Sequence, residues 1–353
     1  MKQIVWFRTV LLLLSYLLAH LSAHAQVLPR LYLVEKESLI GFIRAESHLP
    51  LKVENDLYFS QIVLPASRLA TAYVEEDFPP SLSASGRMNK CNNASVTSNG
   101  WEINEQTLNA FLARSHGRQV IHSIALSTKD KRELVDAIES LPFFLKLQDV
   151  LDQITVKANP PHVQRALRDT TSNRLRREMI TKRNAKHILI EEAEEIREAF
   201  CRVPEPQQQQ VVQAIVRHAG RDDLGTLDLG EAERCFMHEL SLANTQLKCR
   251  AEKANCTERP MFPICSMKND WPSQAMPFVL IERTNAWLTN FDRYIEQEIP
   301  FFSVGNIHLL DTSLGKGLLT LLSERGYRVT LVQTKAQLEY ASARIKEVSR
   351  TRK

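Results

Sequence analysis

The chain has 353 residues, 44% of them hydrophobic and 24% charged, enough to bury a large core in one big domain or two coupled halves. Its 45 Lys and Arg stand against 41 Asp and Glu, a formal charge of +4. Such a balance argues against a nucleic-acid partner, which would call for a clustered basic face.

Lys2 and Arg8 flank the start of an apolar run, Val10 to Leu18, and Ala23-His24-Ala25 follows before Gln26. This pattern predicts a secretory signal peptide over residues 1–25. The run is well short of the roughly 20 residues a bilayer span needs, so we expect no stable membrane insertion after cleavage. Cleavage would remove Lys2 and Arg8 and no acid, lowering the charge from +4 to +2.

In chain order, Leu31–Glu35 and Leu39–Ile43 read as a short strand pair, and His48 follows them. Leu69–Val74 is another strand, ending at Glu75-Glu76-Asp77. The stretch from Pro79 to Gly100, crowded with Pro, Ser, Asn and Gly, reads as a surface loop. From Glu105 to Ala214 the apolar spacing is mostly helical, as in Leu108, Phe111, Leu112 and in Leu134, Ile138, Leu141, with prolines punctuating the helices. Within it, His187-Ile188-Leu189-Ile190 is an apolar run that ends in Glu191. The last residues predict a helix over 281–295, a strand over 300–305, a helix over 314–325 and a strand over 327–332, a βαβ-like order. Asp311, Thr312 or Ser313 would cap the helix at 314. The basic run Arg344 to Lys353 reads as a solvated helix end.

Six cysteines, Cys91, Cys201, Cys235, Cys249, Cys256 and Cys265, follow the signal segment. Their even number and the absence of a C-x-x-C pair favour disulfides over a zinc site in an exported chain, with the last four pinning a loop-rich segment.

His308 follows the strand 300–305 and a glycine, and His48, Glu75 and Glu191 each follow an apolar run. Strand ends are where α/β sheets assemble sites, so these residues are the raw material of a metal or acid/base centre.

The block Phe278 to Trp287, with Glu282-Arg283-Thr284-Asn285, the strand end Val304-Gly305-Asn306-Ile307-His308-Leu309, and the close Leu318 to Val329 resemble the C-terminal signature of the TraB/GumN family, which includes the Tiki proteases. Leu31 to His48, Leu69 to Asp77 and Lys186 to Glu195 resemble that family's earlier blocks. Ala45 and Glu46 stand where the family has glycine and threonine, and Thr284 stands inside its E-R-N run.

The resemblance implies an α+β fold of the EreA/ChaN-like type, a central mixed β-sheet from two sequence-distant halves with a largely helical middle region. It implies one domain over 26–353: N-terminal strands with the first histidine (26–78), a mainly helical insert (101–230), a Cys-rich loop segment (231–276), and a helix-strand-helix-strand close with the second histidine (277–335). It also implies a secreted or periplasmic metal-dependent hydrolase acting on a peptide or protein substrate. His48, His308, Glu75 and Glu191 would be metal ligands. Glu75, Glu191 and Arg283 would take catalytic roles, with zinc, manganese or cobalt as the ion. The alternative is a catalytically inactive secreted binding protein that keeps the fold. A side chain such as Glu46 filling the space between the histidines would favour it.

Overall fold

The computed structural model describes residues 28–47, 49–76, 160–191, 195, 228–252, 276–313 and 315–351. The signal segment, the loop 79–100, His48 and Cys91, Cys201, Cys256 and Cys265 lie outside these.

The described residues form an α+β fold around one six-stranded mixed sheet. Its strands are β1 (Leu31–Lys36), β2 (Leu39–Glu46), β3 (Ala72–Glu75), β4 (Lys186–Leu189), β5 (Pro300–Gly305) and β6 (Arg328–Leu331), in the order β4-β3-β5-β2-β1-β6. The first two make an antiparallel hairpin whose turn places Glu37 at φ 52°. Pairing of β2 with β5, β5 with β3 and β3 with β4 is parallel, and β1 runs antiparallel to both its neighbours. Strands distant in sequence therefore bring four carboxyl ends to one edge: Glu46 opposite Gly305, Ser303 opposite Glu75, and Glu75 opposite Leu189.

Alternation of side chains along each strand divides the sheet into two faces. One face carries Tyr32, Val34, Ile43, Ala45, Val74, Ile188, Phe302 and Val304. It is covered by α4 (Leu229–Ala251), α5 (Met276–Gln297) and α6 (Leu318–Glu324). The other carries Leu31, Leu33, Phe42, Tyr73 and Phe301. A π-helical turn at Phe59–Val63 runs into α1 (Leu64–Ser67) to cover it, together with α3 (Thr171–Arg176), a second π-helical turn at Arg177–Lys182, and α7 (Lys335–Thr351). A short α2 (Pro161–Arg168) precedes α3.

Two expectations are corrected. The segment from 231 onward is not loop-rich at its start. Cys235, Phe236, Glu239, Leu240, Ala243, Gln246 and Leu247 are buried at spacings of three and four, the stripe of a helix, and Asp228 caps it by accepting from the Glu231 N–H at 2.9 Å. The helix expected from 314 begins at Leu318. Asp311 reaches its first turn from upstream, accepting from the Gly317 N–H at 2.8 Å and from the Thr320 hydroxyl.

Candidate functional site

His308 lies on the 3-10 turn Asn306–Leu309 that ends β5, and it is 3% exposed. Its ring lies 4.1 Å from the Trp287 ring at 33°. That position follows from packing: α5 buries Leu280, Thr284, Trp287, Leu288, Phe291 and Ile295 at helical spacing, and this stripe closes over the strand end.

Thr284 fixes the chemistry of the imidazole. Its Oγ1 lies 2.6 Å from the Leu280 carbonyl oxygen and 2.8 Å from His308 Nδ1. A carbonyl only accepts, so the single hydroxyl proton goes to Leu280, the usual bond of a helical threonine to the carbonyl four residues back. The Thr284 oxygen must then accept from Nδ1–H. Burial pushes the His308 pKa below its ordinary value, with Glu76 pulling the other way, a balance that favours the neutral ring with its lone pair on Nε2.

That lone pair faces a carboxylate. Glu76 Oε2 is 3.3 Å from His308 Nε2, and Glu76 Oε1 accepts from the Gly305 N–H at 2.6 Å. Two acceptors that face each other in a buried place call for a shared proton or a cation between them. A Cβ on Gly305 would stand 2.9 Å from Glu76 Oε1, so this glycine gives the carboxylate room.

Beside this pair, Arg283 clamps Glu191. Its Nε lies 3.0 and 3.2 Å from the two carboxylate oxygens, and Nη2 closes the fork. The same Nη2 is 3.7 Å from Glu76 Oε2, and the guanidinium stands 5.6 Å from the Trp287 ring centre. Glu191 is held from below as well, since Asn290 donates to the Ile190 carbonyl at 2.7 Å.

Of the residues the sequence singled out, His308, Glu191 and Arg283 meet at one edge. Glu75 does not join them. It shares the face of Tyr73, where it takes a hydrogen bond with His187 Nε2 at 2.7 Å and an ion pair with Arg176 at 3.2 Å. Its neighbour Glu76 occupies the place expected for it, because a shift of one residue on a strand reverses the face. Glu46 does not fill the space near His308 either. It lies on the face of Tyr73, accepting from Arg44 at 2.8 Å and from Ser172 and Ser303 at 2.5 Å each. His48 lies outside the described residues. Sequence reasoning missed Glu76, Thr284 and Trp287. The doublet Glu75-Glu76 was a signal for the first, but strand parity is needed to choose between them.

As a metal centre, the expected set is not assembled among the described residues: no group of three or more His, Cys, Asp or Glu there could hold an ion. His308 Nε2 and Glu76 Oε2 have the chemistry of two donors of such a set, a neutral imidazole with its other nitrogen held by an oxygen, beside a carboxylate. Glu191 is committed to Arg283.

No protein-family model, curated protein or solved structure matches this chain.

Proposed function

We propose that the chain is an exported metal-dependent hydrolase of the TraB/GumN kind, with an EreA/ChaN-like arrangement of its sheet, acting on peptide bonds at the edge where β3, β4 and β5 end. The observation that carries this reading is the confrontation of the His308 Nε2 lone pair with the Glu76 carboxylate, enforced from behind by Thr284.

His308 and Glu76 would hold a divalent ion, with His48 as the further ligand expected from the resemblance. A zinc, manganese or cobalt ion there would lower the pKa of a bound water and polarise a carbonyl. The chain's own residues do the rest. Thr284 keeps the proton on Nδ1 and the lone pair on Nε2. Gly305 N–H orients Glu76, and Trp287 excludes water from one side of the imidazole. Arg283 balances Glu191 and Glu76, and its positive charge is placed to stabilise negative charge that develops on a substrate oxygen.

Calorimetric titration with manganese, cobalt and zinc tests this on the wild type, His308→Ala and Glu76→Gln, with circular dichroism to check folding. We expect binding by the wild type and a loss of at least about tenfold in each variant. His48→Ala should behave alike, and hydrolysis of a mixed peptide pool should require the ion. A wild type that binds none of the three ions would leave the noncatalytic binding protein as the better reading.

A further inference from the structure

The near balance of charge in the whole sequence conceals a local excess. On the face of the sheet opposite His308, α3, the π-helical turn after it and the end of α1 expose six cations: Arg68, Arg174, Arg176, Arg177, Lys182 and Arg183. Three carboxylates meet them: Glu75 pairs with Arg176, Asp169 with Arg177, and Glu178 with Lys182 and Arg68. Two of the three sit low in the surface, with side chains 16% (Glu75) and 18% (Glu178) exposed, whereas the cations paired with them are 50% exposed or more.

Other cations are anchored by neutral oxygens: Arg174 by the Asn55 side chain at 2.6 Å, and Arg183 by the carbonyls of Ser67 and Arg68 at 2.7 Å. Among the described residues neither is within ion-pair distance of a carboxylate, although Glu178 attracts Arg183 from farther off. Concentrating positive charge here raises self-repulsion and gains nothing for the core, so the face calls for a partner.

We propose that this face docks an acidic polypeptide segment. Five of the six cations are arginines, whose planar fork matches carboxylates two bonds at a time. A membrane partner would call for large apolar side chains among the cations, and single-stranded nucleic acid for exposed aromatic ones. The large hydrophobic side chains exposed among the described residues, Leu57, Leu189 and Tyr340, stand singly on three different elements on or beside this face and form no apolar stripe among the cations of α3. Position supports a polypeptide too. Arg176 grips Glu75, the residue before Glu76, so a chain lying across the sheet edge would pass from this face to His308. The proposal concerns binding and holds whether or not the edge is catalytic.

Fluorescence anisotropy of the full mature protein with a fluorescein-labelled, glutamate-rich peptide tests it. Vesicles of phosphatidylcholine and phosphatidylserine and a labelled RNA oligomer serve as competing probes. We expect the wild type to bind the peptide, with affinity falling as salt rises. Arg68→Glu, Arg177→Glu and Lys182→Glu together should weaken binding about tenfold or more. Lys248→Glu on α4, on the other side of the sheet, should leave it unchanged. If the triple reversal does not fold, the same three positions changed to Gln carry the test. A wild type that ignores the peptide, or a triple variant that binds it as well, overturns the proposal. Tighter binding to the vesicles or RNA, lost in the same variant, assigns the face to that partner instead.

Discussion

At Thr284 one hydroxyl proton decides what a histidine can do. Replacing the residue with valine keeps its volume and removes the oxygen that accepts from His308 Nδ1–H. A buried donor left without a partner costs about 1–3 kcal/mol, and the tautomer is released. Thr284→Val should lower the unfolding free energy by that amount in urea titrations, while Thr284→Ser stays near the wild type; equal stability of the two variants would remove the argument for a fixed tautomer. On the other face, Arg44 is fully buried between Glu46 and Glu54, 2.8 Å from each. Burial pushes Glu54 from 4.5 up to about 7, Arg44 pulls it down, Glu46 adds repulsion, and the Ser47 N–H and Arg30 pull down further. An acid whose pKa is raised by folding stabilises the native state below its unfolded value, and that contribution is lost as pH rises to the folded one. Between pH 4.5 and about 7, Glu54 should thus cost the protein roughly 3 kcal/mol. The difference in unfolding free energy between wild type and Glu54→Gln, followed across that window, should change by this amount in favour of the variant as pH rises. A flat difference would show that Arg44 keeps Glu54 ionised throughout.

Among the elements, the sharpest constraint lies where α6 begins. A Cβ on Gly317 would sit on the Leu309 carbonyl oxygen, and the clash is with backbone, which cannot swing aside. Gly317→Ala should therefore lower the thermal midpoint, with a cost of about 1–3 kcal/mol, whereas Gly230→Ala, whose Cβ meets side chains alone, should cost less. This level is also where the sequence was easiest to read and where it misled. The strand at 300–305 was legible because six consecutive buried residues, Pro300 to Gly305, leave an unbroken run. Placing α4 in a loop failed because its cysteines drew the reading away from the stripe of Phe236, Leu240, Ala243 and Leu247. Glu75 was chosen over Glu76 because an apolar run shows that a strand ends but not which face its last side chain takes; that depends on the pairing with β5. Thr284 looked like an interruption in a motif, and only its distances to Leu280 and His308 reveal its use.

For the whole molecule, the sheet separates two kinds of polar construction at one edge. The Glu76, His308, Glu191 and Arg283 network lies under α4 to α6, and the Arg44, Glu46 and Glu54 cluster lies under α1 and α3. Helix α4 ties the first side together. Gln246 exchanges hydrogen bonds with the Asp311 backbone at 2.9 and 3.0 Å, and Arg250 pairs with the Asp311 carboxylate. Covalent bonds reach the same helix, since Cys235 and Cys249 are both disulfide-bonded and no cysteine among the described residues is free. The two stand fourteen residues apart on one continuous helix, about 21 Å at ~1.5 Å per residue, far beyond the ~7 Å that a disulfide can span between Cα atoms. They therefore do not pair with each other. Thiol titration of the denatured, unreduced protein should find no more than two free thiols among the six cysteines. Reduction should then lower stability by about 2–5 kcal/mol for each bond lost. Because α4 presses on the turn that carries His308, reduced protein should also bind the ions of the proposed site more weakly than oxidised protein does. Six free thiols in the native protein would show that packing alone holds α4 against the sheet.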